Sequence, residues 1–147
     1  MSHTTTIKCV AINDIEALKM AVNEIRAGGV DCELVEDARP RMYYSEQGPK
    51  CPYVLKLKGG SYDVGFQQQA DGSYAAVLDT FGGHVQKQVG ATCAIPDTEE
   101  GRARHAIGRL SQLYAKNAAI RAAAAQGYAV EDVTVDAKGN VHLTIDA

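Results

Sequence analysis

The first part of the chain carries a clear run of apolar residues at helical spacing. Four of them recur every three or four positions and therefore share one helix face: Ile15, Leu18, Val22 and Ile25. Asn13 precedes this stripe, and its side chain can cap the first turn. Gly28-Gly29 follows, and glycine readily takes the left-handed conformation that closes a helix. The pattern predicts a helix over about residues 15–27.

Shorter runs predict β-strands because β-branched and aromatic residues alternate with polar ones. Thr4–Ile12 is the first of these runs, and a weaker one covers residues 30–35. Three more follow at residues 53–58, 62–69 and 74–80. The last two flank a segment with Asp-Gly, a combination that favours a hairpin turn. The last three runs are therefore expected to form an antiparallel meander.

The second half is irregular before it becomes helical again. Residues 81–96 have no clear period: Gly82-Gly83 breaks any strand, and residues 84–93 are expected to be extended or irregular. Asp97 or Thr98 is expected to cap a long helix that runs without proline to about residue 126. A final hairpin, turned at residues 137–140, places five apolar residues on one face: Val133, Val135, Val141, Leu143 and Ile145.

Hairpins dominate this order and parallel crossovers are few, which indicates the α+β class. We expect a mostly antiparallel sheet with two helices, about 15–27 and 99–126, packed on one face as a two-layer sandwich. Hydrophobic residues make up 46% of the chain and charged residues 22%, values that are ordinary for a folded domain. No linker-like stretch divides the sequence, so residues 1–147 are expected to form a single domain.

Composition narrows the functional classes only slightly. The net charge of −3 argues against a general nucleic-acid coat but leaves room for a local basic patch. The four cysteines lie far apart, without the close pairs of zinc or redox motifs. The chain shows neither a basic-apolar leader nor a long apolar stretch. We expect a cytoplasmic protein with reduced thiols and no membrane partner.

The sequence contains none of the common catalytic motifs. The chain has no Gly-x-Ser-x-Gly elbow, and neither glycine pair that follows a strand precedes a phosphate-binding Gly-Lys-Ser/Thr. The histidines and cysteines lack the close ligand pair of a zinc site. The expectation is a non-enzymatic protein without cofactor or metal.

The proline-containing stretch from 36 to 52 has no clear period and is the most interesting loop. Tyr43 and Tyr44 lie in it, and paired aromatic residues often anchor a protein partner. They would equally suit a lid that folds back onto the domain. His3 is a third candidate contact, although a histidine so near the terminus is commonly just exposed. The neighbouring carboxylates, from Asp31 to Asp37, are more simply explained as a solvated rim.

The long predicted helix suggests an alternative interface. At 100° per residue, four basic or titratable side chains fall within a sector of about 60°: Arg102, His105, Arg109 and Lys116. Such a row could follow a phosphate backbone. It is also what an amphipathic helix shows when its solvent face is positively charged. Nucleic-acid binding therefore stands as the second functional hypothesis.

Several short motifs, taken in order, resemble the Ycf35-like proteins of the DUF1257 family, whose function is unknown. They are Met1-Ser2-His3, Thr6-Ile7-Lys8, Ala17-Leu18-Lys19, Tyr62-Asp63-Val64-Gly65-Phe66, Asp71-Gly72-Ser73-Tyr74, Tyr114-Ala115, Gln126-Gly127-Tyr128 and the closing hairpin. The resemblance covers essentially the whole chain. Two features depart from the family: Thr4 stands where members usually have an aromatic residue, and tryptophan is absent near residues 79–82.

The resemblance implies a divergent member of a family found in plastid genomes, cyanobacteria and tailed phages, here a phage-encoded protein of the host cytoplasm. It supplies no catalytic residues. Family members are often encoded near an AAA-type ATPase, which implies an accessory role. The leading hypothesis is thus a binding or adaptor protein that acts through a protein partner or as a homo-oligomer.

Overall fold

A five-stranded antiparallel sheet forms the centre of the protein. The computed structural model describes residues 4–43, 48–92, 97–135 and 141–146. The strands are β1 (Thr4–Ile12), β2 (Cys32–Ala38), β3 (Cys51–Leu57), β4 (Val64–Gln68) and β5 (Tyr74–Asp79). Their order across the sheet is β1-β5-β4-β3-β2, so the first two strands of the chain form its two edges. The predicted meander of β3, β4 and β5 is confirmed.

Helices cover the sheet, and a second small sheet follows them. The helices are α1 (Ile15–Ala27), α2 (His84–Val89), α3 (Glu99–Ala106) and α4 (Gly108–Ala125). The closing strands β6 (Ala129–Val135) and β7 (Val141–Asp146) pair as a separate hairpin that contacts α4. The α+β class is therefore confirmed. No helix in the described part of the chain is long and apolar enough to cross a membrane.

Helix α1 has the predicted bounds but a different cap. The Asp14 carboxylate accepts the N–H of Ala17 at 3.2 Å, whereas Asn13 uses its own N–H to donate to the Tyr114 hydroxyl at 2.9 Å. The prediction of Asn13 as the cap was wrong by one residue, since the first helical residue is Ile15. Gly29, with φ of 104°, closes the helix as the double glycine suggested.

The prediction of one continuous helix from 99 to 126 was wrong. Thr98 caps α3 as expected, through a 3.0 Å bond from the N–H of Gly101, but the helix breaks at Ile107. The N–H of Ala91 donates to the carbonyl of His105 at 2.9 Å. In a continuous helix that carbonyl would bond the amide four residues on. The contact with the 90–91 segment thus separates α3 from α4.

The region expected to be extended or irregular after Phe81 contains the short helix α2. It starts directly after Gly82 and Gly83, which both have positive φ. Its residues Val85 and Val89 face the core and are fully buried. Two apolar residues at i and i+4 give too short a repeat to reveal a helix in the sequence.

The main core lies between the sheet and the helices. Helix α1 buries its apolar stripe, with Leu18 and Ile25 completely covered. Leu55 of β3 and Phe66 of β4 face it from the sheet, and Leu110 of α4 closes the cluster. Burial of such side chains contributes about 1.5–3 kcal/mol each, which makes this cluster the main source of stability.

Candidate functional site

Tyr43 reaches its position because a buried carboxylate holds the residues before it. Asp63 is fully buried and accepts the backbone N–H and the Nε of Arg41, both at 2.9 Å. Its other oxygen accepts Nη2 of Arg41 at 2.9 Å and the N–H of Leu57 at 3.0 Å. Lys56 adds a positive charge 3.5 Å away. This cluster ties the segment that leaves β2 to the ends of β3 and β4.

A second buried carboxylate fixes Tyr43 itself. Asp79, 2% exposed, accepts the backbone N–H of Tyr43 at 3.2 Å and that of Phe81 at 2.9 Å. The rings of Tyr43 and Phe81 then pack with centroids 4.3 Å apart. Tyr43 is half-buried and lies against the domain in this contact. Tyr44 and His3 lie outside the described residues.

Next to Tyr43, an aromatic pair closes the same end of the sheet. The rings of Tyr62 and His84 are 4.5 Å apart, and Tyr62 is 6% exposed. Burial raises the pKa of Tyr62, and the nearby Asp79 carboxylate raises it further. Within the described ranges, no three histidine, cysteine or carboxylate side chains come together as metal ligands do.

The four residues of the proposed basic row do not share one exposed face. His105 is 5% exposed, and Arg102 uses its guanidinium on the carbonyl of Asp97 at 2.7 Å. Lys116 forms a 2.7 Å ion pair with Glu24 of α1. Arg109 is exposed and extends towards Gly28, at the end of α1. The break at Ile107 and the pairing with α1 therefore disperse the row.

A groove with a volume of about 580 Å³ lies between α1 and β2, and sequence reasoning did not identify it. Helix α1 supplies one wall and β2 the other, while Tyr53 of β3 lies beside them. The lining side chains are Lys19, Val22, Asn23, Arg26, Glu33, Leu34, Val35, Glu36 and Tyr53. A volume in this range is typical of ligand sites in proteins.

The groove reaches the edge of β2 from the sheet face next to α1. Residues 33–36 are four consecutive strand residues that all line it. Successive side chains of a strand point to opposite faces, so a groove that contacts all four reaches the strand edge. Tyr53, which pairs with Glu36, shows that it also extends over the sheet face. Among the described strands, β2 pairs with β3 alone, so no described strand occupies its other side.

The backbone groups that face the groove can be assigned from the hydrogen-bond ladder between β2 and β3. Asp31 accepts the N–H of Lys58 at 2.9 Å, so its carbonyl faces β3. Carbonyl and N–H groups alternate sides along an antiparallel strand, which turns those of residues 32, 34 and 36 outward. Cys32 agrees, because its carbonyl accepts Nε of Arg26 at 3.0 Å. Leu34 and Glu36 thus present backbone donors and acceptors to the groove.

The charges around the groove are divided between its walls. Lys19 and Arg26 lie on α1, and Glu33 and Glu36 on β2. Lys19 is 3.3 Å from Glu16, and Glu33 is 3.2 Å from Lys58. Glu36 is exposed and forms no ion pair within the described ranges. The carboxylate rim noted in the sequence therefore forms part of a groove.

A known protein family matches most of the chain. A model of the DUF1257 family, described as proteins of unknown function, matches residues 29–144. The match begins just before β2 and ends within β7, whereas the opening Met1-Ser2-His3 motif and α1 precede it. No curated protein and no solved structure matches the chain. Because the match spans well over half of the sequence, the chain belongs to the DUF1257 family.

Proposed function

We propose that this chain is a non-enzymatic binding protein that acts through a protein partner held in the groove between α1 and β2. One observation carries the proposal: the groove follows an open strand edge, with outward backbone groups at Leu34 and Glu36. Backbone groups on an open edge are a common docking surface for extended segments of other proteins. The groove also offers apolar surface at Val22 and Tyr53.

This proposal moves the contact away from the tyrosine loop. Tyr43 packs against Phe81 and is fixed by Asp79, so it supports the fold of the domain. The groove residues Asn23 and Glu36, by contrast, are exposed. An exposed side chain can contact a partner without any change in the fold, at the cost of its own freedom and of removing its polar groups from water. The groove is therefore the better candidate for partner contact.

The family resemblance extends the proposal to a partner class and a setting. An AAA-type ATPase is the proposed partner, and the chain would serve it as an adaptor. The departures from the family pattern at Thr4 and near residues 79–82 support a divergent, phage-encoded member that acts in the host cytoplasm.

Blocking the groove tests the proposal. Asn23→Trp adds a large side chain at an exposed, groove-lining position of α1, and Met20→Trp makes the same addition at an exposed position of α1 outside the lining. Tagged wild-type protein and both variants are used for affinity capture from the native lysate, with nuclease-treated and untreated halves, followed by mass spectrometry.

The expected result is a nuclease-resistant protein partner with wild type and Met20→Trp that is lost with Asn23→Trp. Equal capture by all three proteins would exclude the groove as the contact. Recovery of nucleic acid, with protein partners lost after digestion, would favour the second hypothesis. Charge reversal at Arg109, which is exposed, would then test that contact directly.

A further inference from the structure

We infer that the groove takes an extended, basic peptide segment, which adds to β2 as a sixth strand of the sheet. This inference rests on the proposed function and specifies its partner. Three properties of the groove carry it: the open backbone positions, the carboxylates along β2 and the apolar floor.

The backbone groups of β2 that are open to a ligand begin after Cys32, whose carbonyl is occupied by Arg26. The first outward groups left for a ligand are therefore those of Leu34. Glu36 supplies the next pair, two residues on. An added strand would bond both residues with the spacing of an ordinary ladder. A compact ligand would use the volume but not this regular row.

The carboxylates of β2 favour basic residues in a ligand strand that pairs with this edge, whereas the cations Lys19 and Arg26 lie on the α1 wall. Asp31, Glu33, Glu36 and Asp37 are all exposed, and they lie within seven residues of one edge strand. Lys58 neutralises Glu33, whereas Glu36 and Asp37 have no ion pair within the described ranges. Lysine or arginine on a partner strand would meet these charges directly.

The same charges argue against a second copy of this chain as the occupant. Antiparallel pairing of two β2 edges would bring two sets of these carboxylates together across the new ladder. Like charges opposite each other destabilise a strand pair. Natural edge strands use charge in this way to avoid self-association.

The apolar floor of the groove favours apolar side chains in the ligand, beside its basic ones. Val22 is buried, and Leu34 and Tyr53 are half-buried around it. An apolar ligand side chain opposite Leu34 would cover this surface. Since alternate strand residues share a face, Leu34 and Glu36 lie on the same face, and a segment with an apolar residue opposite Leu34 and a basic residue two positions away, opposite Glu36, fits best.

Synthetic peptides provide the direct test. Fluorescently labelled eight-residue peptides with the repeat Val-Thr-Lys-Thr, or with the repeat Val-Thr-Glu-Thr, carry valine and the charged residue on one strand face and are titrated with the full chain in an anisotropy assay at low and moderate salt. The lysine peptide should bind, weaken as salt rises, and exceed the glutamate peptide in affinity by at least about tenfold. Equal binding of both peptides, or none by the lysine peptide, would overturn the inference.

Two variants at one position separate charge from backbone pairing. Glu36→Gln removes the carboxylate and should weaken the lysine peptide about threefold. Glu36→Pro also removes the outward N–H and should weaken it by a further tenfold or so. The ladder with β3 survives, because the N–H of residue 36 faces away from it. Thermal denaturation confirms that both variants fold.

If Glu36→Gln and Glu36→Pro bind the peptide equally, strand addition is excluded. A concentration-dependent dimer of the free protein in light scattering, abolished by Glu36→Pro, would identify a second copy as the occupant and overturn the inference. Capture of a partner that Asn23→Trp blocks but the lysine peptide does not displace would retain the proposed function and remove only this inference.

Discussion

At the scale of single residues, Asp63 combines complete burial with four hydrogen bonds to one carboxylate. It accepts three bonds from Arg41 and one from the Leu57 N–H, each between 2.9 and 3.0 Å. Burial alone would raise its pKa, but the Arg41 guanidinium and the two backbone donors outweigh it and hold the pKa of Asp63 below its ordinary value. The carboxylate is therefore charged when the protein is folded.

Asp63→Asn should lower the free energy of unfolding by about 3 kcal/mol, because the amide leaves the Arg41 charge without its partner. Chemical denaturation at neutral pH measures this loss. Asp71→Asn is a control, since that carboxylate lies in an exposed turn and bonds only Ser73. A loss no larger than that of the control would contradict the prediction.

The acid dependence of stability provides the second readout of this same substitution. The pKa of Asp63 is lower in the folded protein than in the unfolded chain, where it is near 3.8. The stabilisation from the charged carboxylate is therefore complete above pH 3.8 and is lost as the pH falls through the folded-state pKa. Wild type should thus lose stability steeply below about pH 4. The asparagine variant should follow a flatter curve there.

At the scale of secondary-structure elements, the junction of α3 and α4 shows tertiary contact overriding helical pattern. Gly108 approaches the segment after α2 so closely that a Cβ on it would lie 2.6 Å from Cβ of Ala91. The Ala91 N–H occupies the His105 carbonyl in the same contact. Glycine at 108 is needed for this close approach rather than for helix formation.

Gly108→Ala should destabilise the protein by about 1–3 kcal/mol. In an ordinary helix interior, the same change stabilises by up to about 1 kcal/mol. Thermal or chemical denaturation distinguishes the two signs. Adding Ala91→Gly removes the nearer Cβ and should restore part of the loss, whereas a stabilised Gly108→Ala would show that the contact is loose.

At the scale of the whole molecule, charges join α1 to α4 along their length. Lys116 is 2.7 Å from Glu24, and Arg121 is 2.7 Å from Asp14. The Arg121 side chain is the main cause of the lowered pKa of Asp14. The hydroxyl of Tyr114 on α4 accepts the backbone N–H groups of Asn13 and Asp14 at the start of α1. The α4 charges thus orient one helix against the other.

A double-mutant cycle of Glu24→Gln and Lys116→Gln tests this reading. The pair is partly shielded from water, with Lys116 24% exposed, so the coupling free energy should be about 0.5–1 kcal/mol. Raising the salt concentration should reduce it. A coupling near zero at low salt would show that the pair has no role in stability.

The local pattern of apolar and polar residues was sufficient to predict the class of the fold and most of its helices and strands. The stripe from Ile15 to Ile25 and the hairpin around Gly72 are determined by neighbouring residues, so α1 and the meander followed directly. The structure also gives a physical reason for two residues of the 62–66 motif. Asp63 binds Arg41. Gly65 leaves room for Pro40, whose Cγ would lie 3.0 Å from a Cβ at position 65.

The candidate site was decided by tertiary structure. Glu36 was visible in the sequence only as one of several carboxylates, because the groove forms only when α1 packs beside β2 and β2 becomes an edge. Lys116 looked like part of a basic surface until α4 packed against Glu24. The sequence by itself determined helix α1 and most of the strands, since these depend on spacing along the chain. Which charges are paired and which strand edge stays open depend on contacts between residues far apart in sequence, and only the folded chain decides them.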